Sequence, residues 1–219
     1  MDKYLRYKGY KFVRYADDFS VYRTSKSRSR KIGNEIYLFL RDKLDLPINR
    51  EKRGIRRPNT YKILGHSFVP NYKKGMKGKY QIVVNKKSRQ ALKRKLKYIT
   101  KKTLPMSITE RLKELKLIYR GWLNNFRLAN IESKLKKLDE WLRNRLRNCI
   151  WSDWKKPERK RKNLIRLGIE QGQAYAWSRT RMGGWAVAQS PMLKTTITVE
   201  RLEHKGYEQM LDYYHKIKF

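Results

Sequence analysis

Two adjacent carboxylates, Asp17 and Asp18, lie between short apolar runs in a chain that is otherwise poor in acidic residues. The flanking residues 10–13 and 19–22 are rich in aromatic and β-branched types, which predicts two strands joined as a β-hairpin. Carboxylates this close repel each other unless a cation lies between them, and a divalent ion with hard oxygen ligands is the natural one. Such an ion would organise phosphoryl transfer at a nucleic acid 3′ end. The same dipeptide is also ordinary turn chemistry, since Asp hydrogen-bonds its own backbone.

Basic residues dominate the composition. The 219 residues include 56 Lys and Arg against 19 Asp and Glu, a formal net charge of +37. This charge repels itself in a compact fold unless a polyanion neutralises it, so RNA or DNA is the expected partner. A merely soluble basic surface and an anionic membrane surface are the alternatives. The membrane fits less well, because the basic residues are spread along the chain rather than clustered.

The remaining composition indicates a folded protein of the cytoplasm. Aromatic residues make up 12% of the chain, which disordered basic tails lack. The single cysteine, Cys149, excludes an internal disulfide and a Cys-rich zinc site, and it fits a reducing compartment. No window approaches 18 consecutive apolar residues, and no secretion signal follows Met1, so no membrane association is expected.

Hydrophobic spacing predicts an α+β fold, with a partial antiparallel sheet followed by helices. One helix is expected over residues 25–44. Three more, with apolar stripes that can pack together as a small bundle, are expected over 86–150. Ser107 and Glu110 have the spacing of a capping box. The expected domains are 1–70, a sheet half-domain; 71–85, a basic linker or hairpin; 86–150, the helical bundle; and 151–219, a basic, Trp-rich extension with short helices.

The third helix of this bundle is the first candidate for RNA contact. A charged helix face is usually only solvated, but basic residues here outnumber the acidic ones, which favours phosphate binding. The candidates are Lys134, Lys136, Lys137, Arg143, Arg145 and Arg147, balanced only by Glu132, Asp139 and Glu140.

The chain resembles the C-terminal part of a bacterial group II intron-encoded reverse transcriptase, the maturase. Four blocks carry the resemblance, and they are FVRYADDF at 12–19, LPINREK at 46–52, ILGHSF at 63–68 and YRGWLNNF at 119–126. The first three are similar to blocks of the polymerase palm, and the last is similar to the signature of the maturase, or thumb, domain. The resemblance covers essentially the whole chain, so it implies a palm remnant over 1–70 and a thumb over 86–150.

The resemblance also implies roles for individual residues. Asp17 and Asp18 match the paired catalytic aspartates that hold two Mg²⁺ ions in polymerases. The implied primer- and nucleotide-binding residues are Tyr15, Ala16, Lys52, Gly65 and His66. For Lys52, a solvated lysine is an equally good interpretation. In the thumb, Arg120 and Trp122 join the basic residues above as implied RNA-binding residues.

One departure from the family pattern concerns the active site. Family members carry a third catalytic aspartate on an earlier palm strand, together with fingers that bind the template. Neither is found ahead of the hairpin, and Asp2 lies too near it to be that residue. No His/Cys cluster of the nuclease type follows the thumb. We therefore expect a truncated or split reading frame, or an isolated fragment, that is inactive alone.

Three functions stay open at this point. The chain is part of an RNA-directed DNA polymerase that acts on a template–primer once joined to a separate N-terminal half. Alternatively, it is a non-catalytic module that binds intron RNA and assists splicing. The third possibility is an inactive remnant with unspecific RNA affinity.

Overall fold

A computed structural model of the chain describes residues 1–47, 49, 53–72 and 78–218. It contains two compact units, Met1–Tyr61 and Lys62–Phe219. Helices and antiparallel strands occur in both, so the predicted α+β class is confirmed. The domain limits predicted around 71–85 stay a prediction. The division falls before Lys62, since residues 80–84 of that segment pair as a strand with residues 66–70.

The first unit combines a hairpin with two helices. Helices α1 and α2 span Asp2–Tyr7 and Lys26–Asp42, strands β1 and β2 span Phe12–Tyr15 and Asp18–Val21, and a 3₁₀ turn spans Pro58–Thr60. The two strands pair antiparallel across a two-residue turn. Aromatic and β-branched residues therefore form the hairpin that their types predict.

A small core holds the first unit together. Its buried centre consists of Leu5, Ile36 and Leu40. Beside this centre the Tyr4 ring stacks on Phe39 with centroids 3.8 Å apart. The hydroxyls of Tyr4 and Tyr10 donate to the carboxylate of Glu35 at 3.0 and 2.6 Å. Apolar packing and one shared carboxylate thus fix α2 against α1 and the hairpin.

The second unit begins with a three-stranded antiparallel sheet. Its strands are β3, Lys62–Ile63; β4, His66–Pro70; and β5, Tyr80–Val84. Val84 is buried in the core formed by the helices, so the sheet belongs to their unit. Of the segment predicted as a linker or hairpin, the part from Tyr80 to Val84 is a strand.

Three long helices form the bundle predicted for the second unit. They are α3, Lys86–Ile99; α4, Ile108–Phe126; and α5, Glu132–Asp153. Their buried stripes share one core and include Leu92, Leu96, Leu112, Leu115, Leu135, Leu142 and Leu146. The capping box predicted at the start of α4 is also confirmed. Glu110 N donates to Ser107 Oγ at 3.2 Å, and Ser107 N donates to Glu110 Oε2 at 2.8 Å.

Six short helices complete the second unit over the described residues. They are α6, Pro157–Arg166; α7, Gln171–Ser178; α8, Gly184–Gln189; α9, Pro191–Thr196; α10, Val199–His204; and α11, Met210–Ile217. Leu164, Leu193 and Tyr214 from these helices are fully buried in the bundle core. Throughout the described ranges, no helix has both the length and the apolar composition needed to cross a bilayer.

A buried carboxylate joins α5 to α11. Asp139 accepts hydrogen bonds from Tyr207 OH at 3.0 Å, Met210 N at 2.9 Å and Leu211 N at 3.1 Å. It therefore caps the first turn of α11, where backbone N–H groups lack partners within the helix. Burial raises the pKa of Asp139, while these three donors act in the opposite direction.

Candidate nucleic-acid interface

The two adjacent aspartates lie at the tip of the β1–β2 hairpin. Ala16 and Asp17 form the two-residue turn, and Asp18 begins β2 opposite Tyr15. Ala16 has a φ of +53°, a left-handed conformation that costs an L-residue roughly 1–2 kcal/mol. All four residues are exposed to solvent. The predicted position of the acidic pair, at the tip of a hairpin, is thereby confirmed.

Carboxylate oxygens are the donor type that Mg²⁺ prefers, and both aspartates are accessible. Within the described ranges, however, no group of three or more His, Cys, Asp or Glu side chains could hold a metal ion. Two neighbouring carboxylates provide fewer protein ligands than a two-metal centre uses. Asp17 and Asp18 can therefore supply part of a metal site, and the described residues do not complete it.

Arg14 stabilises the hairpin turn through two hydrogen bonds of its side chain. Its Nε donates to the carbonyl of Ala16 at 2.7 Å, and its Nη1 donates to the carboxylate of Asp2 at 2.8 Å. This hydrogen bond from Arg14 holds the pKa of Asp2 below its usual value. Asp2 thus joins α1 to the hairpin through an ion pair with Arg14. The sequence does not indicate this pair, because the two residues are 12 positions apart.

The implied primer-binding residues are divided between the two units. Tyr15 and Ala16 belong to the first, whereas Gly65 and His66 belong to the second. His66 packs against Phe126 with ring centroids 4.9 Å apart, and the turn at Gly65 lies against the same ring. Lys52 lies outside the described residues. The primer contacts of all five stay a prediction.

The thumb signature forms a network inside the second unit. Arg120 donates from Nε and Nη2 to both carboxylate oxygens of Glu208, at 2.9 and 2.8 Å. Tyr119 OH donates to the backbone carbonyl of Glu208 at 3.1 Å, and Trp122 packs on Phe126 at 4.7 Å. Arg120 and Tyr119 therefore join α4 to the segment before α11. The RNA contacts of Arg120 and Trp122 stay a prediction.

The arginines of α5 are also used internally. Arg147 is buried and donates to the carbonyl of Ile197 at 2.9 Å, and this burial lowers the pKa of its guanidinium. Arg143 donates to Gln209 at 3.2 Å. Arg145 reaches the C-terminal end of α3, where it donates to the carbonyls of Lys97 and Thr100 at 3.0 and 2.8 Å. Each one links α5 to a distant element.

The lysines of α5 differ from these arginines. Lys134, Lys136 and Lys137 occupy the first two turns of the helix and are exposed. None of them forms an ion pair with another described residue. We call these three residues the α5 lysine surface. Of the basic residues proposed from the sequence on α5, only these three have charges directed fully to solvent.

A second basic surface, on α3, escaped the sequence-based selection. This helix contains seven Lys and Arg residues and no acidic residue. Lys86, Lys87 and Arg89 even occupy its first turn, where the helix dipole disfavours positive charge by about 0.3–1 kcal/mol per residue. The signal that would have found this surface is a helix with seven basic and no acidic residues, three of the basic ones in its first turn.

Comparison with known proteins agrees with this geometry. Residues 89–168 match the family model described as the group II intron, maturase-specific domain. The match covers nearly all of α3 and the whole of α4, α5 and α6. A search of curated proteins finds no significant match to the chain. The helical bundle at 89–168 is therefore similar to the maturase-specific domain of group II introns, in agreement with the sequence resemblance.

Proposed function

We propose that this chain binds group II intron RNA through the basic surfaces of α3 and α5 and helps the RNA to fold for splicing. The observation that carries the proposal is the family match over residues 89–168, which contains the α5 lysine surface and all but the first three residues of α3. The finer parts of the proposal, namely which surface touches RNA and with what effect, rest on charge and exposure.

The charge argument favours phosphate contact at the α5 lysine surface. Exposed ammonium groups without carboxylate partners can neutralise RNA phosphates, and the cations condensed on those phosphates are then released. The arginines of α5 contribute less, because their guanidinium groups already bind carbonyl and amide oxygens of the protein. Lysines on a helix surface also suit an RNA whose shape and backbone are recognised.

The test compares two triple variants of the full chain that remove equal charge. One replaces the α5 lysine surface (Lys134→Gln, Lys136→Gln, Lys137→Gln), and the other replaces three exposed lysines elsewhere (Lys194→Gln, Lys205→Gln, Lys216→Gln). The affinity for intron RNA is measured against salt concentration. We expect the first variant to lower the slope of log K against log salt by about 2, as three lost phosphate contacts require. Equal slopes for both variants would move the RNA site elsewhere.

A splicing assay separates the maturase proposal from an inactive remnant. The wild-type chain is expected to prefer intron RNA over random RNA of equal length and to raise the splicing yield. Asp17→Asn should leave both effects intact, because the hairpin takes no part in this function. Equal affinity for both RNAs and an unchanged splicing yield would favour the remnant.

We propose as a second function that the chain completes an RNA-directed DNA polymerase when it is joined to a separate N-terminal half. The observation that favours it is the acidic pair, exposed at the tip of the β1–β2 hairpin and without an ion pair in the described structure. In that complex, Asp17 and Asp18 would share Mg²⁺ with a carboxylate of the other half. The template–primer would then contact Tyr15 and Ala16.

Primer extension on an RNA template with Mg²⁺ tests the second function. The chain is assayed alone and with the N-terminal half, each beside its Asp17→Asn variant. Extension that needs both halves and is abolished by the substitution is the expected result. Absence of extension with both halves, on samples that bind intron RNA, would leave only the maturase function.

A further inference from the structure

A basic pocket lies where the C-terminal end of α3 meets α5. It opens widely to solvent, and its volume of about 420 Å³ is within the range of sites that hold small ligands. Five cationic side chains line it, and no acidic side chain does. The five are Arg94, Lys97, Lys101, Lys102 and Arg145. Of the described residues, none forms an ion pair with any of these five.

Arg145 gives the pocket a rigid cation. Its Nε donates to Thr100 Oγ1 at 3.0 Å, and its Nη2 donates to the carbonyls of Lys97 and Thr100. These bonds also neutralise the negative end of the α3 dipole, which would otherwise repel an anion. No described residue accepts a hydrogen bond from Nη1, so that amino group is available to a ligand. Burial lowers the pKa of Arg145, but a guanidinium stays protonated at neutral pH.

An exposed aromatic ring lies among these cations. Tyr98 is 63% exposed and lines the pocket, and its ring stacks on no other described ring. A phenol ring that has no ring partner can stack on the face of a nucleic-acid base. An aromatic face and several cations are the complements of a base and of the phosphates beside it.

We propose that this pocket holds one unpaired nucleotide of the bound RNA. The base stacks on Tyr98, and the flanking phosphates lie between Arg145 and the four flexible cations. This inference rests on the proposed maturase function and narrows its substrate to RNA with an exposed single-stranded base. Paired bases cannot reach the ring, because their faces are covered within the helix stack.

The experiment uses the full chain and a short single-stranded RNA that carries one 2-aminopurine, whose fluorescence reports stacking. Tyr98→Leu is expected to weaken binding roughly tenfold or more and to remove the fluorescence response. Tyr98→Phe, which keeps the aromatic face, should behave as wild type. Tyr175→Leu is the matched control, since Tyr175 is half exposed but does not line the pocket. The unfolding midpoint of each variant establishes that it is folded.

The outcomes separate this inference from the proposed function. One outcome is that the wild type binds intron RNA in a salt-dependent manner and that Tyr98→Leu and Tyr175→Leu bind it with equal affinity. This result would overturn the nucleotide pocket but not the maturase function. Loss of preference for intron RNA in the wild type itself would overturn the proposed function. Lys101→Gln and Lys102→Gln should each lower the affinity for single-stranded RNA more than the affinity for duplex RNA. Equal weakening of both would argue for a general phosphate surface and against the pocket.

Discussion

Gly65 lies in the turn between β3 and β4 with a φ of +79°. A Cβ atom at this position would come within 2.8 Å of Phe126 Cζ and of Ser88 Oγ. Glycine is therefore required both by the backbone conformation and by the close approach of α3 and α4. The sequence resemblance implied that Gly65 lets the backbone approach a primer. Packing inside the second unit is a separate reason for a glycine at this position.

Gly65→Ala should lower the free energy of unfolding by roughly 2–4 kcal/mol, since it adds a steric overlap to the strain of positive φ. Gly206→Ala is the control, because Gly206 has a φ of +98° but open space around its missing Cβ. That variant should lose only about 1 kcal/mol. Chemical denaturation followed by Trp fluorescence measures both. Equal losses would show that the contact with Phe126 relaxes at no cost.

Glu35 provides a pH-dependent contribution to the first unit. Hydrogen bonds from Lys8, Tyr10 and Tyr4 lower the pKa of its carboxyl from 4.5 to about 2. Because the folded-state pKa lies below the unfolded one, the unfolded chain binds more protons between these values. The stabilisation is complete above pH 4.5 and is lost as the pH falls towards 2.

The thermal midpoint of the wild type should therefore fall more steeply than that of Glu35→Gln between about pH 4.5 and 2. A carbon-detected NMR titration of the Glu35 carboxyl gives its pKa directly. Parallel stability curves, together with a carboxyl pKa near the ordinary value, would contradict the proposed hydrogen-bond cluster.

At the scale of elements, side-chain pairs between distant segments hold the second unit in register. The bidentate pair of Arg120 and Glu208 joins α4 to the segment before α11, and Tyr213 lies against the same guanidinium at 4.8 Å. Glu208 is mostly buried, with 15% of its side chain exposed. Such a carboxylate is costly to leave unpaired.

A double-mutant cycle with Arg120→Ala and Glu208→Ala should give a coupling energy of about 1–2 kcal/mol in unfolding. This coupling energy is at the lower end of the range for buried ion pairs, because Arg120 is partly exposed to solvent. RNA affinity, measured on the same variants, distinguishes the two roles of Arg120. If this residue binds phosphate, Glu208→Ala should strengthen RNA binding by releasing it. Negligible coupling with a strong loss of RNA affinity in Arg120→Ala would assign the residue to the RNA.

At the scale of the whole molecule, the net charge of +37 opposes folding. Only seven ion pairs join described residues, so most of the positive charge has no nearby compensation. Screening by salt reduces the repulsion between exposed charges but affects buried hydrogen bonds little. The protein is therefore suited to a polyanionic partner that neutralises it.

Raising the NaCl concentration from about 0.05 to 0.5 M should raise the thermal midpoint, because shorter screening lengths weaken the repulsion. RNA should raise it further at low salt, since a ligand that binds the folded state stabilises it. Differential scanning calorimetry measures both effects. A midpoint that falls with salt would mean that attractive ion pairs outweigh the repulsion.

Patterns confined to a few neighbouring residues were sufficient for several features. The alternation around Asp17 and Asp18 predicted the hairpin, the leucine spacing predicted the three helices of the bundle, and Ser107 with Glu110 predicted a capping box. These features depend on intrinsic preference and on contacts within one or two turns. The maturase resemblance likewise depends on short blocks of sequence.

By itself, the amino-acid sequence determined the fold class and the place of the acidic pair, and it predicted a polyanionic partner. Only the tertiary structure decided which basic side chains remain available. Arg145 finds its partner 45 residues away and Arg120 finds its partner 88 residues away, whereas the lysines near the start of α5 meet solvent. Helical spacing gives the face of a residue but not what lies opposite that face. That difference, set by packing between distant segments, separates structural arginines from the cations that can bind RNA.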